Sequence, residues 1–569
     1  MERTEYINIP KEKFRPAENR DMKHDKKLET KPVSYFKDAW LRFRKNKGSV
    51  VAFGIIVLLV LFSIIAPIVS PYTVEYNDNN FKNATPRNEI FYELGWDFWD
   101  GYEKKVVNEK TFLQDNAIGI ETGDLVVKRN EFTTSKDQNG KLLYTYRKDT
   151  YQQTGCILKT ITEEEYLAIQ AYQDENDVQV IYPAVNALKK TNSSWEKKYP
   201  TEANDPNRWY KMMEIPAKTA DGGLSKTKKQ IVPDIYQKNE KGKIVYDEDN
   251  NPIILFNEDG SVAYQHDYRK FSGKLDENGV VTSASKDGYV SKMRIEGEGV
   301  YEYDYAIKMQ GNMYDVRVNY YSYYGYYHQE VLKDGITKPS FIFGATQYGQ
   351  DIFTRLGSGA RLSFLLAISV SLVNMLVGAI YGAIEGYYGG KLDLFMERFS
   401  DILSAVPFMI VISLLKFHLG NTGHLTILFI SFFLTGWIGM AARVRMQFYR
   451  FKNQEYVLAA RTLGASDRRI MFKHIFPNSL GTIITGSILS IPGMIFSESS
   501  LSYLGIINLE TGSMTSIGNM LASARSELYM TPHIIVPPAL FICLLMLSFN
   551  LFGNGLRDAF NPSLRGSED

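Results

Sequence analysis

The sequence predicts a polytopic α-helical membrane protein with six transmembrane helices and a mixed, mostly β, domain inserted between the first and second of them. Apolar residues gather in six runs, a long polar stretch separates the first run from the other five, and Lys and Arg cluster at alternate run ends. The averages conceal this pattern, since the 569 residues carry a formal net charge of +1 and the mean hydropathy is only −0.22. Apolar segments set against a polar middle are what a membrane protein with a large water-exposed domain requires. The balanced charge gives no sign of nucleic-acid binding. Two cysteines, Cys156 in the polar stretch and Cys543 in the last apolar run, predict no disulfide framework.

Residues 1–48 are rich in Lys and Glu, lack apolar periodicity and form a cytoplasmic N-terminal segment. The run Ser49–Val69 is too long for a signal-peptide core and is followed by no small-residue cleavage site, so it stays as an anchor. The other spans are Leu362–Ile384, Ile402–Phe417, Leu425–Ala442, Leu480–Phe496 and His533–Phe552. Each approaches the ~20 residues that a bilayer core requires, the third and fourth falling short. In hydrocarbon every backbone amide must be bonded within its own segment, and none of the runs alternates as a membrane barrel strand does, so helices are expected. Basic residues are retained on the cytoplasmic side. Arg42, Arg44, Lys45 and Lys47 place the start inside; six crossings then place the loop 443–478, with its seven basic residues from Arg445 to Lys473, and the tail 561–569 inside as well. The same count puts residues 72–340 outside, in a multi-pass protein of the cell membrane.

That outer stretch holds strand-like runs at Lys243–Tyr246 and Ile253–Phe256, punctuated by Asn139-Gly140, Lys241-Gly242, Asp259-Gly260 and Asn278-Gly279, which are hairpin signals. Turns around Asn139, Asn250 and Asn278 hint at a repeat of irregular spacing. One helix is expected from Thr162, whose hydroxyl caps it while Glu165 reaches back in a capping box. Asp247, Asp249, Asn251 and Glu258 fit an EF-hand spacing, but Pro252 stands where the sharp turn needs glycine and the flanks read as strands, so chance explains the match. Tyr320, Tyr321, Tyr323, Tyr324, Tyr326 and Tyr327 are read either as an outer contact surface or as packing within the domain.

The most informative stretch runs from Asn453 through Glu455, Ala459, Ala460, Arg461, Gly464 and Asp467 to Pro477. It reads as helix, turn, helix, stop. Asn453 can cap, Glu455 suits the positive first turn, and Gly464 supplies a left-handed residue at the end. Ser466 or Asp467 caps a second helix with Ile470, Phe472 and Ile475 to one side, closed by Pro477. The two alanines leave a low surface that another backbone can approach. This stretch resembles the Glu-Ala-Ala, Gly, Pro signature of membrane subunits of binding-protein-dependent ABC importers, in the long form of the oligopeptide, dipeptide and nickel group. The resemblance implies a type I ABC importer fold, with a coupling loop that docks on an ATPase through Glu455, Ala459, Ala460, Arg461, Gly464, Asp467 and Pro477.

Further segments resemble the C-type subunit of peptide importers: Phe343–Leu356, Gly359–Ser363, Gly386–Gly390, Asp401, Glu498–Gly505 and Phe549–Asp558. Departures stand at Ala345-Thr346, Gln350, Glu385 and Phe476; Glu385 is expected to be solvated or paired with Lys391 rather than to carry protons. The faces Ala367, Ser371, Asn374, Gly378, Gly382 and Gly486, Ser490, Gly493, Ser497 avoid lipid. Close helix packing accounts for them first, with Ser371, Asn374, Ser490 and Ser497 as candidate pathway residues. No phosphate-binding Gly-rich loop, nucleophile elbow or zinc-protease motif occurs, and His418, His424 and His474 are too scattered for a metal set, so no catalytic residue, metal or cofactor is expected in this chain. By resemblance, ATP and Mg are bound by two ATPase partner subunits, beside a second homologous permease, an outer substrate-binding lipoprotein, membrane lipids and a peptide substrate. Alternatives are import of nickel or another small solute, or a receptor or adhesin on a permease-like scaffold.

Overall fold

The computed structural model describes residues 35–123, 127–138, 140–188, 197–199, 204–219, 222–271, 274–275, 281–283, 303–308 and 313–560. Among these, five helices are long and apolar enough to cross a membrane: Lys47–Val69, Ile352–Tyr388, His424–Phe451, Asp467–Tyr503 and Pro532–Phe560. A sixth crossing exists if Gly390–Ser404 and Phe408–Leu419, bent by 73°, count as one. The bend falls at Pro407, whose ring disfavours helical backbone in the residue before it. The expected span Ile402–Phe417 therefore straddles a corner rather than forming one rod. The other helices overrun the expected limits, Lys47–Val69 at its start only and the rest at both ends, because the helical backbone continues past the apolar run into polar residues.

Helix contacts are made through small residues. Gly378, Gly382 and Gly386 form a four-residue stripe on the Ile352–Tyr388 helix, and a Cβ at Gly382 would lie 2.1 Å from the Ala441 carbonyl oxygen. Similarly, a Cβ at Gly357 would meet Ala66 and Pro67 at 2.8 Å, and one at Gly555 would meet Ser49 Oγ at 2.1 Å. In lipid no hydrophobic force drives helices together, so close backbone approach is the main source of attraction.

Between the first two spans lies the insertion. Strands β1 (Tyr102–Asn108), β2 (Val127–Lys136) and β3 (Leu142–Asp149) form an antiparallel sheet in the order β1-β3-β2. A second sheet orders β6 (Ala306–Lys308), β7 (Met313–Asn319) and β4 (Cys156–Thr162), with β5 (Ile181–Tyr182) also on β7. The helix Glu163–Asn176 starts as expected, with Thr162 Oγ1 accepting from Glu165 N at 3.1 Å. The Glu165 carboxylate instead accepts from Tyr323 Oη at 3.0 Å. Tyr166, Ile169, Val316, Val318, Tyr323 and Tyr326 form one core. The tyrosine run thus serves packing, Tyr327 alone of the six being markedly exposed.

A ladder of short hairpins runs through residues 236–262. Asn239, Asp247 and Asn257 each donate a backbone N–H to the carbonyl four residues on, at 2.8–2.9 Å. The fourth positions, Gly242, Asn250 and Gly260, hold φ of +73°, +59° and +81°. Asn250 belongs to this series; Asn139 and Asn278 lie outside the described residues. The Asp247 carboxylate is occupied within its turn by Asn251 N at 2.7 Å and Asp249 N at 3.0 Å, in keeping with the chance reading of the EF-hand spacing.

Arginines close the insertion. Arg317 is fully buried, paired with Glu121 and donating to the Pro206 and Pro183 carbonyls at 2.6 Å. Arg269 pairs with Asp304 at 2.9 Å, and Arg87 stacks 3.8 Å over the Tyr92 ring. Burial pushes the Asp304 carboxyl up to about 6 against the pull of Arg269, and likewise raises Glu109 and Glu121. The Cys156 thiol, buried beside Arg317 and Glu121, is pushed up to about 12. The chain enters and leaves this domain through a neck, where Asp78 N donates to Gly349 O at 3.2 Å, Asn83 N to Thr346 O at 3.0 Å and Ala345 N to Ala84 O at 2.8 Å.

Candidate functional site

The candidate site is the hairpin of helices that projects from one end of the bundle. Its first helix, Glu455–Thr462, is preceded by Gln454 rather than Asn453 as the capping residue, with no side-chain cap. It ends in a Schellman turn: Gly464 N donates to Arg461 O at 3.0 Å, Ala465 N to Ala460 O at 3.1 Å, and Gly464 holds φ +80°. That left-handed residue is what the glycine was expected to provide. The second helix, Asp467–Arg469, does not stop at Pro477. It passes through a π-helical turn, Ile470–Ile475, into the long helix Phe476–Tyr503, with Pro477 in its first turn. Proline is tolerated there because its missing N–H falls in the first turn, and the wide π turn re-spaces the bonds before it.

The hairpin buries Val457, Ile470, Met471 and Ile475 against Tyr387 and Phe448. Phe472, expected beside Ile470 and Ile475, points outward and Met471 takes the inward place. Asp467 Oδ1 accepts from Tyr387 Oη at 2.6 Å, so this residue ties the loop to the second span. Below it, Arg445 forks to Asp393 at 2.7 and 3.1 Å and to Glu397 at 2.7 and 3.0 Å, and Lys452 donates to Gly386 O at 3.0 Å. Glu385 is buried 3.5 Å from Arg445, not solvated or paired with Lys391. The partner is sixty positions away and could not be read from local spacing. A bidentate, multiply shared guanidinium fixes three helix ends and gives the hairpin a stiff base.

What remains outward is Glu455, Ala459, Arg461 and Gly464, with Ala460 half-buried. The sequence reading missed the apolar members of this face. Leu463 is 87% exposed at the tip, and Tyr456, Leu458 and Phe472 of the same hairpin are 40–45% exposed. The signal was present, since an apolar residue placed before a C-terminal glycine points off the helix end. Charged and apolar groups side by side on a rigid projection suit docking into a groove on another protein.

The candidate pathway residues part company. Ser371 Oγ bonds Ser487 O at 2.9 Å and lies 3.0 Å from Ser490 Oγ, joining the second and fifth spans. Asn374 is buried and donates to Phe432 O at 3.3 Å. Ser371 and Asn374 therefore sit in seams inside this chain, whereas Ser497 is half-buried on a stretch with open Gly493. Among the described residues no group of His, Cys, Asp or Glu is placed to hold a metal ion.

The apolar spans and the projecting hairpin define a multi-pass helical membrane protein of the permease class. Residues 374–566 match the family described as binding-protein-dependent transport system inner membrane component, and residues 34–86 match the N-terminal TM domain of oligopeptide transport permease C. An oligopeptide transport system permease protein of Bacillus subtilis is 44% identical over 223 residues, covering 39% of this chain and 72% of the relative. A dipeptide transport system permease protein of the same organism is 39% identical over 225 residues, covering 39% of this chain and 69% of the relative. Among solved structures, an inward-facing MetNI methionine ABC transporter chain matches at 12% identity and a TM-score of 0.29, covering 36% of this chain and 96% of that one. The chain belongs to the binding-protein-dependent transport system inner membrane component family, as a permease subunit of ABC importers.

Proposed function

We propose that this chain forms half of a translocation pathway for oligopeptides or dipeptides. Its sixth crossing is the bent pair, both termini are cytoplasmic, and the insertion lies outside. Two ATPase subunits drive it, a second permease completes the pathway, and an outer lipoprotein delivers the peptide. Peptide cargo is supported by its curated relatives, named as oligopeptide and dipeptide permeases at 39–44% identity. Coupling is supported most by one observation: the hairpin 455–475 stands on a locked base and presents Leu463 bare at its tip. Glu455, Ala459, Ala460, Arg461 and Gly464 form the docking face, while Asp467 and Pro477 position it. Ser497 and the open face around Gly493 line the pathway in preference to the buried Ser371 and Asn374.

Leu463→Asp tests the reading. Removing an exposed side chain leaves stability within about 0.5 kcal/mol, so the bundle should melt unchanged while the ATPases no longer co-purify and peptide uptake is lost. Gly464→Pro should act likewise, since proline cannot adopt positive φ. Normal uptake by both variants would remove the hairpin from the mechanism.

A further inference from the structure

Residues 88–100 of the insertion carry a feature that lies outside both the proposed docking hairpin and the proposed pathway face. Asn88 Oδ1 caps the short helix Glu89–Glu93 by accepting from Ile90 N at 3.0 Å, and the chain then doubles back to Trp99. Ile90, Leu94, Trp96 and Phe98 are 55–65% exposed on one short segment. An apolar group of this kind on a water-facing domain marks a contact surface. Behind it, aromatic rings lead directly to the spans: Trp99 lies 6.4 Å from Phe343, Phe343 lies 6.4 Å from Phe62 of the first span, and Phe62 lies 6.0 Å from Phe541 of the last.

Between these rings and the two helices is a cavity of about 770 Å³. Leu58 and Phe62 wall it on one helix, Leu540 and Leu544 on the other, and Phe98 and Trp99 cover it from the insertion. Leu58 and Leu540, on two of the helices long and apolar enough to cross a membrane, are 66% and 54% exposed. The cavity is thus continuous with the exposed apolar surface of the bundle. From Leu58 to the helix end at Val69 the rise is about 17 Å, close to half of the ~30 Å hydrocarbon thickness. The depth is that of one leaflet. Charged groups stand at the insertion side of the cavity, where Arg147 pairs with Asp100 at 2.9 Å and with Asp97.

We propose that the insertion is seated in the bilayer as well as on the helices. Ile90, Leu94, Trp96 and Phe98 enter the adjoining leaflet, and the cavity beneath Phe98 and Trp99 holds one acyl chain of a bilayer phospholipid. Tryptophan suits this depth because its ring is apolar and its N–H finds partners at the headgroups. The seating fixes the height of the insertion above the membrane, which the neck alone does not do.

The test uses the full chain in its complex, reconstituted in phospholipid nanodiscs. In a Cys543→Ser background, a nitroxide at Phe98→Cys should be accessible to oxygen and shielded from a water-soluble nickel chelate. It should match Leu547→Cys on a lipid-facing helix side and differ from Val106→Cys on β1 of the insertion. With phospholipid brominated at mid-chain, tryptophan fluorescence should be quenched, and the quenched component should fall in Trp99→Phe and fall further when Trp96→Phe is added, the remainder coming from span residues such as Trp437. A Phe98 label as chelate-accessible as the Val106 label would overturn the proposal. So would a shielded Phe98 label with no lipid quenching at Trp99, which would show protein covering the face instead of lipid.

Discussion

Within the bundle, helices meet across Gly378, Gly382 and Gly386, where backbone touches backbone, whereas the insertion closes around Arg317, Arg269 and Arg87 and a large set of tyrosines. The two regions share a chain but not a way of packing. In lipid, a leucine gains nothing by leaving the hydrocarbon, so contact area comes from removing side chains. In water, burying large rings is favourable, and buried guanidinium groups hold strands in one arrangement provided every charge is matched.

Substitutions can break this contrast. The largest effect is expected at Arg317: removing it leaves Glu121 buried and unpaired, at a cost of about 3–5 kcal/mol. Arg317→Met should collapse the insertion, followed through Trp209, whose indole donates to Ala117 O at 3.0 Å, and Glu121→Gln should restore part of the loss. In the bundle, the smallest possible enlargement should be felt. Gly382→Ala forces a methyl toward Ala441 and should cost about 1–3 kcal/mol, read as an earlier melt in detergent. A lower cost there than for Gly439→Ala, where a Cβ meets nothing within 4 Å, would undo the seam.

The third effect is titration. The Asp304 carboxyl binds its proton more tightly in the folded chain than its ordinary value of ~3.9, so between that pH and about 6 the folded state holds the more protons. Its contribution to stability therefore falls as pH rises through that window. Asp304→Asn should flatten the decline in the melting of the insertion between pH 4 and 7, with the bundle unaffected. The smallest effect is at Gly439→Ala itself, expected within about 0.5 kcal/mol of the parent.

What the sequence reveals follows the same division. Five of the spans and the Gly464 turn are written in consecutive residues, through apolar length and one left-handed position, and these are found in place. Pro407 could have announced the corner in the third span, but the apolar run masked it. Pairings across distance leave no local trace: Glu385 with Arg445, Arg317 with Glu121, and Ser371 with Ser487 each depend on how separate elements come together. Pro477 misled for a different reason, since the same residue closes a helix or opens one depending on the turn before it. The hairpin ladder was half visible, its turn residues recurring at 239, 247 and 257 while the unequal intervals hid the series.

The neck at Asp78–Ala84 and Ala345–Gly349 brings the two ends of the insertion within hydrogen-bonding distance. A segment whose entrance and exit coincide can be spliced in or out in a single genetic event without stretching the helices on either side. Such a cassette could also be lifted onto an unrelated carrier, or be closed into a ring by a short peptide joining its ends. Removing or exchanging the insertion therefore leaves the ends of the flanking helices where they are.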